Sequence, residues 1–414
     1  MTTPPALVED APKLSMGFRE FVVMMAALMA INALGIDSML PALPVIARSI
    51  GLSSENQQQW IIASYMLGFG ASQIIFGPLA DRFGRKPVVL FGLIVYAATS
   101  IAASFAASFT MIVVARALQG GAAAATRVLV ISIVRDCYEG RQMARVMSLT
   151  FIIFLAIPIL APSMGQLIML VAPWNTIFHA LALFAIGTAL WVMFRLPETL
   201  HPSYRRSMTV DHLWSATKTV IGNRYSLGYT LAGTVIFGSL MGYINSSQQI
   251  FAETLGAGEY FALIFAFTAA SMGFASFLNS RIVERWGTRL LSHAATVGFI
   301  TIAMVHIMWS IFFQDTVVSF TIFQFMIMFF FGFAAINFGA MSMEPMGAIA
   351  GIASSIQGTI STLLGAVIGI EIGQHYDGTV FPVICGTLLC GIAALAIIFI
   401  TERGRLFQPH HSAP

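Results

Sequence analysis

The chain has 414 residues, a formal net charge of +3 and three cysteines; 57% of its residues are hydrophobic and 9% are charged. Soluble domains carry roughly 25% charged residues, so this composition excludes a water-soluble surface and points to a polytopic membrane protein. Nucleic-acid binding is not needed to explain the basic balance, and Cys137, Cys385 and Cys390 have neither metal-ligand nor disulfide-framework spacing.

The N-terminus, M-T-T-P-P-A-L-V-E-D, is acidic and proline-rich, unlike a cleavable signal peptide, so the first apolar run is expected to stay as an anchor. Twelve apolar segments follow, at about 18–44, 60–80, 88–107, 109–134, 144–170, 174–194, 226–249, 260–280, 290–313, 317–341, 349–373 and 379–401. Each is expected to be a helix, because lipid offers no partner to backbone polar groups. The fold class expected is an all-α membrane protein. It has an N-terminal tail (1–17), a six-helix bundle (18–194), a linker (195–225), a second six-helix bundle (226–401) and a C-terminal tail (402–414). With the N-terminus cytoplasmic, 18 of the 21 Lys and Arg fall on the cytoplasmic side and one, Arg48, falls outside. That bias fixes the number of spans and the orientation, with both termini inside.

Segment 1 carries Asp37, seven residues before Pro44, and segment 4 carries Arg116, seven residues from its outer start. At 1.5 Å per residue both charges lie roughly 10 Å below the outer boundary, which points to a shared polar cavity. The plainer readings are a capping role for Asp37 at a proline-broken helix end and snorkelling of Arg116 to the interface. Arg127 lies on the same helix face as Arg116, either lining the inner half of that cavity or reaching the inner headgroups.

Between segments 2 and 3 the stretch Gly77–Pro87 reads G-P-L-A-D-R-F-G-R-K-P and packs Asp81, Arg82, Arg85 and Lys86 into six positions. Gly77 and Gly84 permit a tight reversal, and Pro78 and Pro87 are expected to limit helix continuation. On charge alone this is an ordinary loop that holds topology. Segment 5 carries Pro158 and Pro162, which are expected to kink it, and Gly165, which permits close helix contact. The linker contains L-P-E-T-L, the pair Arg205 and Arg206, and an amphipathic stretch from Val210 to Ile221. A faint repeat sets Ser280–Arg289 against Gly77–Lys86 at an offset of 203 residues, matching Arg82 with Arg285 and Gly84 with Gly287. In the second half Asn245 and Glu371 are further cavity candidates, Glu371 as a second titrating group. No nucleophile–base set, metal spacing or phosphate-cradling loop is present, so neither an enzyme nor a cofactor is expected.

In order and spacing, G-P-L-A-D-R-F-G-R-K at 77–86 resembles the signature between helices 2 and 3 of the major facilitator superfamily. Arg116, Gln119 and Gly120 resemble that family's helix 4 motif. A-I-P-I-L-A-P-S-M-G at 156–165 resembles the helix 5 antiporter motif, with Ala161 where glycine is more usual. I-D-S-M-L-P-A-L-P at 36–44 and the stretch 343–358 resemble the bicyclomycin/chloramphenicol (Bcr/CflA) efflux group. The resemblance implies two pseudo-symmetric six-helix bundles in a bacterial inner membrane, working as a monomer. Its implied activity is proton-coupled export of small amphiphilic antibiotics by alternating access, with drugs, protons and the bilayer as partners and no cofactor. The alternative is a proton-coupled exporter or importer of one metabolite on the same fold. By the same resemblance Asp37 alternates between proton and drug, and Arg116 and Gln119 hold the network around it. Gly77, Asp81, Arg82, Gly84, Arg85 and Lys86, with Asp136 as partner of Arg85, form a conformational latch in which Asp81 meets the start of helix 11. Pro158, Pro162 and Gly165 form the antiporter motif.

Overall fold

Continuous apolar runs with no strand pattern leave the backbone one way to satisfy itself in lipid, and every described element is helical. The computed structural model describes residues 16–201 and 210–408; Arg205 and Arg206 lie outside that range. In chain order the helices are α1 (Phe18–Asp37), α2 (Leu43–Ser49), α3 (Trp60–Phe83), α4 (Arg85–Ser104), α5 (Phe109–Cys137), α6 (Gly140–Val171) and α7 (Asn175–Arg195). They continue with α8 (Val210–Gly222), α9 (Arg224–Gln249), α10 (Phe261–Trp286), α11 (Thr288–Phe312), α12 (Val317–Met343), α13 (Ala350–Gln374) and α14 (Phe381–Thr401). Among the described residues twelve helical stretches are long and apolar enough to span a bilayer, the first of them running from α1 through α2. The helices pack within two groups, α1–α7 and α9–α14, and the groups meet where α3 lies along α13 and α6 crosses α10. The face that carries α8 is called the linker face below, and the opposite one the far face.

Three local features follow from sequence. After Asp37 the first span breaks into a 3-10 turn, Leu40–Ala42, before α2 resumes. Pro41 and Pro44 have no N–H to continue the ladder. The single residues Gly84 and Gly287 join α3 to α4 and α10 to α11, at φ +102° and +76°, where a side chain would be strained. The repeat legible in sequence is therefore one hinge used twice. Pro78 departs from expectation: α3 runs through it to Phe83, and Gly84 ends the helix. Pro87 sits in the first turn of α4, where no helical donor is lost.

Glycines set how closely the helices approach. A Cβ at Gly68 would overlap the backbone oxygen of Ala117, and one at Gly120 would overlap that of Tyr65, so α3 and α5 touch backbone to backbone. In the second group Gly238 and Gly242 receive Ile368 and Ile372 of α13, while Gly365 and Gly369 of α13 receive Phe237 and Met241 of α9. This is the small-xxx-small packing of membrane helices, in which dispersion replaces the hydrophobic effect. Gly120→Ala is expected to lower the thermal midpoint of the detergent-solubilised protein by the equivalent of about 1–3 kcal/mol. Gly121→Ala, whose Cβ meets only the movable Ser72 hydroxyl, should cost clearly less.

Candidate functional site

Arg116 is fully buried in α5, among apolar helices. Its Nε donates to the Ile61 carbonyl at 2.9 Å, Nη2 to the Gly35 carbonyl at 2.8 Å, and Nη1 to Gln119 Oε1 at 2.7 Å. Gln119 in turn donates to Ser100 Oγ at 2.6 Å, and the guanidinium carbon lies 4.4 Å from the centre of the Tyr65 ring. One planar fork thus ties α1, α3 and α5 together, with α4 added through Gln119. Insertion of the charge costs about 2.5–3.5 kcal/mol. Three charge-assisted bonds at about 1.5–3 kcal/mol each outweigh that. Arg116 neither snorkels nor opens onto a shared cavity; its donors are spent on backbone carbonyls of the bundle interior.

Asp37, two residues beyond Gly35, is buried at 6% exposure and makes no hydrogen bond or ion pair among the described residues. It is the last residue of α1, so it faces the negative end of a helix and caps nothing. The capping reading is therefore excluded. Gly165 connects the proline-bearing helix to this point: a Cβ there would overlap the Ser38 carbonyl, one residue past Asp37, and crowd Pro41. Pro158 and Pro162 lie inside α6, which continues through both.

Other candidates are distributed unevenly. Arg127 is exposed, and its guanidinium stands 5.9 Å from the Phe69 ring of α3. Asn245 is buried, has an unpartnered Oδ1, and packs its Cβ where α9 meets Gly373. Glu371 does not line a cavity: its side chain is 76% exposed, on the far-face end of α13, with His375 Nδ1 at 3.8 Å.

On the linker face Arg85 is the centre of an ion triad. Its Nη1 donates to Asp81 at 2.5 Å and its Nε to Asp136 at 2.9 Å. Asp81 therefore binds Arg85, while Gly77, a turn earlier, is the residue that faces α13, next to Ser355. Arg82 is exposed and lies over its neighbour Phe83. Lys86 contributes its backbone. Glu198, from the L-P-E-T-L stretch, accepts from the Arg85 N–H at 2.8 Å and the Lys86 N–H at 3.2 Å, capping α4, and it fills the space a Cβ at Gly84 would need. Thr199 adds a bond to Asp136 at 3.3 Å. In the second half the matching place is held by Glu402, which accepts from Arg289 Nε at 2.9 Å and from the Tyr229 hydroxyl. Sequence reasoning missed both acids; each follows the last span of its half by a few residues.

Also missed was a set of neutral amides on the far face. Asn56 Nδ2 donates to the carbonyls of Gln374 and Tyr376 at 3.0 and 2.9 Å. Gln59 Nε2 donates to Gln249 Oε1 at 2.7 Å and to the Gly373 carbonyl at 2.9 Å. Gln249 reaches back to Asn56 Oδ1 at 3.1 Å, and Gln166 of α6 donates to the Glu259 carbonyl at 2.9 Å. These bonds join the first group of helices to the second. The runs N-Q-Q-Q at 56–59 and S-S-Q-Q at 246–249 were the available signal.

A profile of the Major Facilitator Superfamily matches residues 25–370, most of the chain. The chain belongs to the major facilitator superfamily. It is 28% identical over 388 residues to a bicyclomycin resistance protein homolog of Haemophilus influenzae, covering 92% of this chain and 96% of that one. It is 30% identical over 396 residues to the multidrug resistance protein MdtL of Escherichia coli O157:H7, covering 94% and 97%. Among solved structures, the crystal structure of the human organic anion transporter MFSD10 (TETRAN) matches at a TM-score of 0.66 and 16% identity, over 95% of this chain and all of that one; the likeness is one of fold. The twelve spans and two helix groups are those of a transporter of this superfamily.

Asp136→Asn leaves the Arg85 cation, 3% exposed, with a single half-exposed partner; it is expected to cost about 3 kcal/mol, against under about 1 for Asp81→Asn, whose side chain is 40% exposed. Thermal melting of the two variants in the same detergent measures the difference. Arg116→Lys is expected to destabilise by about 2–4 kcal/mol in the same assay, because one ammonium does not reach three acceptors spread over α1, α3 and α5.

Proposed function

We propose that this transporter exports small amphiphilic drugs in exchange for protons, with Asp37 as the group that binds one or the other. The observation that carries the reading is the carboxyl of Asp37: buried, without cation or donor, at a helix C-terminus, and fixed in place by the Arg116 network and by Gly165. Among the described residues nothing compensates its negative charge. A proton does so, and so does a cationic or hydrogen-bond-donating drug group, but a site of one carboxyl does not hold both. Loading either one releases the other. The names of the bicyclomycin and multidrug resistance relatives support drugs as the substrate class.

The energy comes from inward proton movement. One charge crossing the membrane yields about 2.3 kcal/mol per 100 mV, before any pH gradient is added. Exchange follows from rocking of the two helix groups about the α3–α13 and α6–α10 seams. The far-face amides close one side, and the Arg85 triad with the Glu198 cap orders the other. The Lys and Arg bias supports a cytoplasmic linker face, with both termini on that side, in a bacterial inner membrane.

The test uses purified protein in liposomes with an imposed pH gradient and an interior pH dye. Addition of chloramphenicol or a cationic dye is expected to release protons, and Asp37→Asn is expected to abolish the release while leaving the thermal midpoint within a few degrees. An Asp37→Asn protein that still drives substrate exchange against the gradient at the parent rate overturns the assignment. Uptake of a metabolite without any drug-dependent proton signal overturns drug export and keeps the fold. A second test addresses the far-face closure. Gln59→Leu combined with Gln249→Leu removes four amide bonds between the helix groups, each worth about 1 kcal/mol. Spin-label distances between the far ends of α3 and α9 are expected to shift toward a separated population.

A further inference from the structure

The linker helix α8 has thirteen residues, too few to span a bilayer, and its C-terminal residue Gly222 is two residues from Arg224, where the membrane span α9 begins. The helix is therefore held at the level where the bundle leaves the lipid. Ala216 and Val220, one turn apart, are buried in a cluster with Met346, Ala353 and Ile356. Ile74 of α3 packs against the same cluster, so α8 is anchored beside the α3–α13 seam between the two helix groups.

The opposite face of α8 has no protein cover among the described residues. Trp214 is 60% exposed, Ile221 is 49% exposed, and Lys218 between them is exposed, with its ammonium 5.4 Å from the Trp214 ring. At about 100° per residue these three fall within about 60° of arc, on the side away from Ala216 and Val220. An indole and an isoleucine flanking a lysine form the composition of a helix lying in a headgroup layer, with the rings in the acyl boundary and the ammonium among phosphates. Arg224, three residues beyond Ile221 and first in α9, adds a second cation nearby.

We propose that α8 docks through Trp214, Lys218 and Ile221 onto the anionic phospholipid headgroups of the adjoining leaflet, so that one face of the helix holds the α3–α13 seam and the other holds the membrane surface. Two features of the structure select lipid as the occupant. The stripe is continuous with a membrane-embedded span, and the exposed ammonium of Lys218 is complementary to acidic headgroups.

The test uses the full chain in nanodiscs. Subtracting the emission of Trp214→Phe from that of the parent isolates Trp214 among the six tryptophans. In discs containing phosphatidylglycerol, Trp214 is expected to be strongly quenched by lipids brominated near the top of the acyl chain. Its acrylamide quenching constant should be about twofold or more below that in pure phosphatidylcholine discs, and Lys218→Gln should remove this difference. Quenching by acrylamide but not by brominated lipid places the stripe in water and overturns the proposal. Protection from both quenchers means that protein covers the stripe and also overturns it. Equal protection in the two lipids overturns the part that depends on headgroup charge. Trp214 and Lys218 are exposed, so neither substitution is expected to move the thermal midpoint, and loss of fold is separable from loss of docking.

Discussion

A guanidinium with no exposure to water is the constraint around which the first helix group is arranged. Arg116 satisfies itself on the carbonyls of Gly35 and Ile61 and on Gln119. Those acceptors lie on three helices, so their relative depth and rotation cannot drift without stranding a buried charge. The glycines follow from the same requirement. Gly120 lets α5 approach α3 at Tyr65, whose ring stacks on the cation, and Gly35 leaves room for the hydroxyls of Tyr65 and Tyr96. Asp37 inherits this rigidity because it is two residues beyond an Arg116 acceptor. Its own side chain takes no part in the network.

The two faces of the molecule use different chemistry. The linker face carries ions and a helix cap: Arg85 between Asp81 and Asp136, and Glu198 on the first turn of α4. These bonds lie within the first helix group and its exit into the linker, so they hold a shape. The far-face contacts run from one group to the other and are neutral amides. A neutral amide bond is worth about 1 kcal/mol net, because water offers the separated groups nearly the same bonding. Contacts made of such bonds part at small cost, whereas a buried ion pair leaves an uncompensated charge when it parts.

The halves repeat a hinge and vary what is built on it. Gly84 and Gly287 both have a positive φ and form the same single-residue connection. At both, an acid that follows the last helix of its half returns to the start of the third. Glu198 binds backbone N–H groups, while Glu402 binds the Arg289 side chain and the Tyr229 hydroxyl. The common element is geometric, a reversal that only glycine adopts without strain, and the bonding around it diverged freely.

Twelve spans, their grouping by sixes and the family were legible in the chain, because lipid leaves the backbone only helices and because the signature residues at 77–86 and 116–120 are contiguous. The Arg85–Asp136 pair was also legible, through resemblance. Periodicity and depth placed Arg116 near Asp37 and the resemblance set Gln119 beside it, but its acceptors on Gly35 and Ile61 were not legible, since backbone carbonyls carry no mark in a sequence. Glu371 was a candidate cavity acid near the outer end of its span, yet its side chain is exposed there. Asn56, Gln59, Gln249 and Gln374 acquire meaning only when residues about 190 to 320 positions apart meet. The sequence by itself determined which segments enter the membrane, because that depends on local composition. The tertiary structure alone decided which polar groups face one another across the two helix groups, because that depends on rotation and depth of helices set by distant glycines and by a single buried arginine.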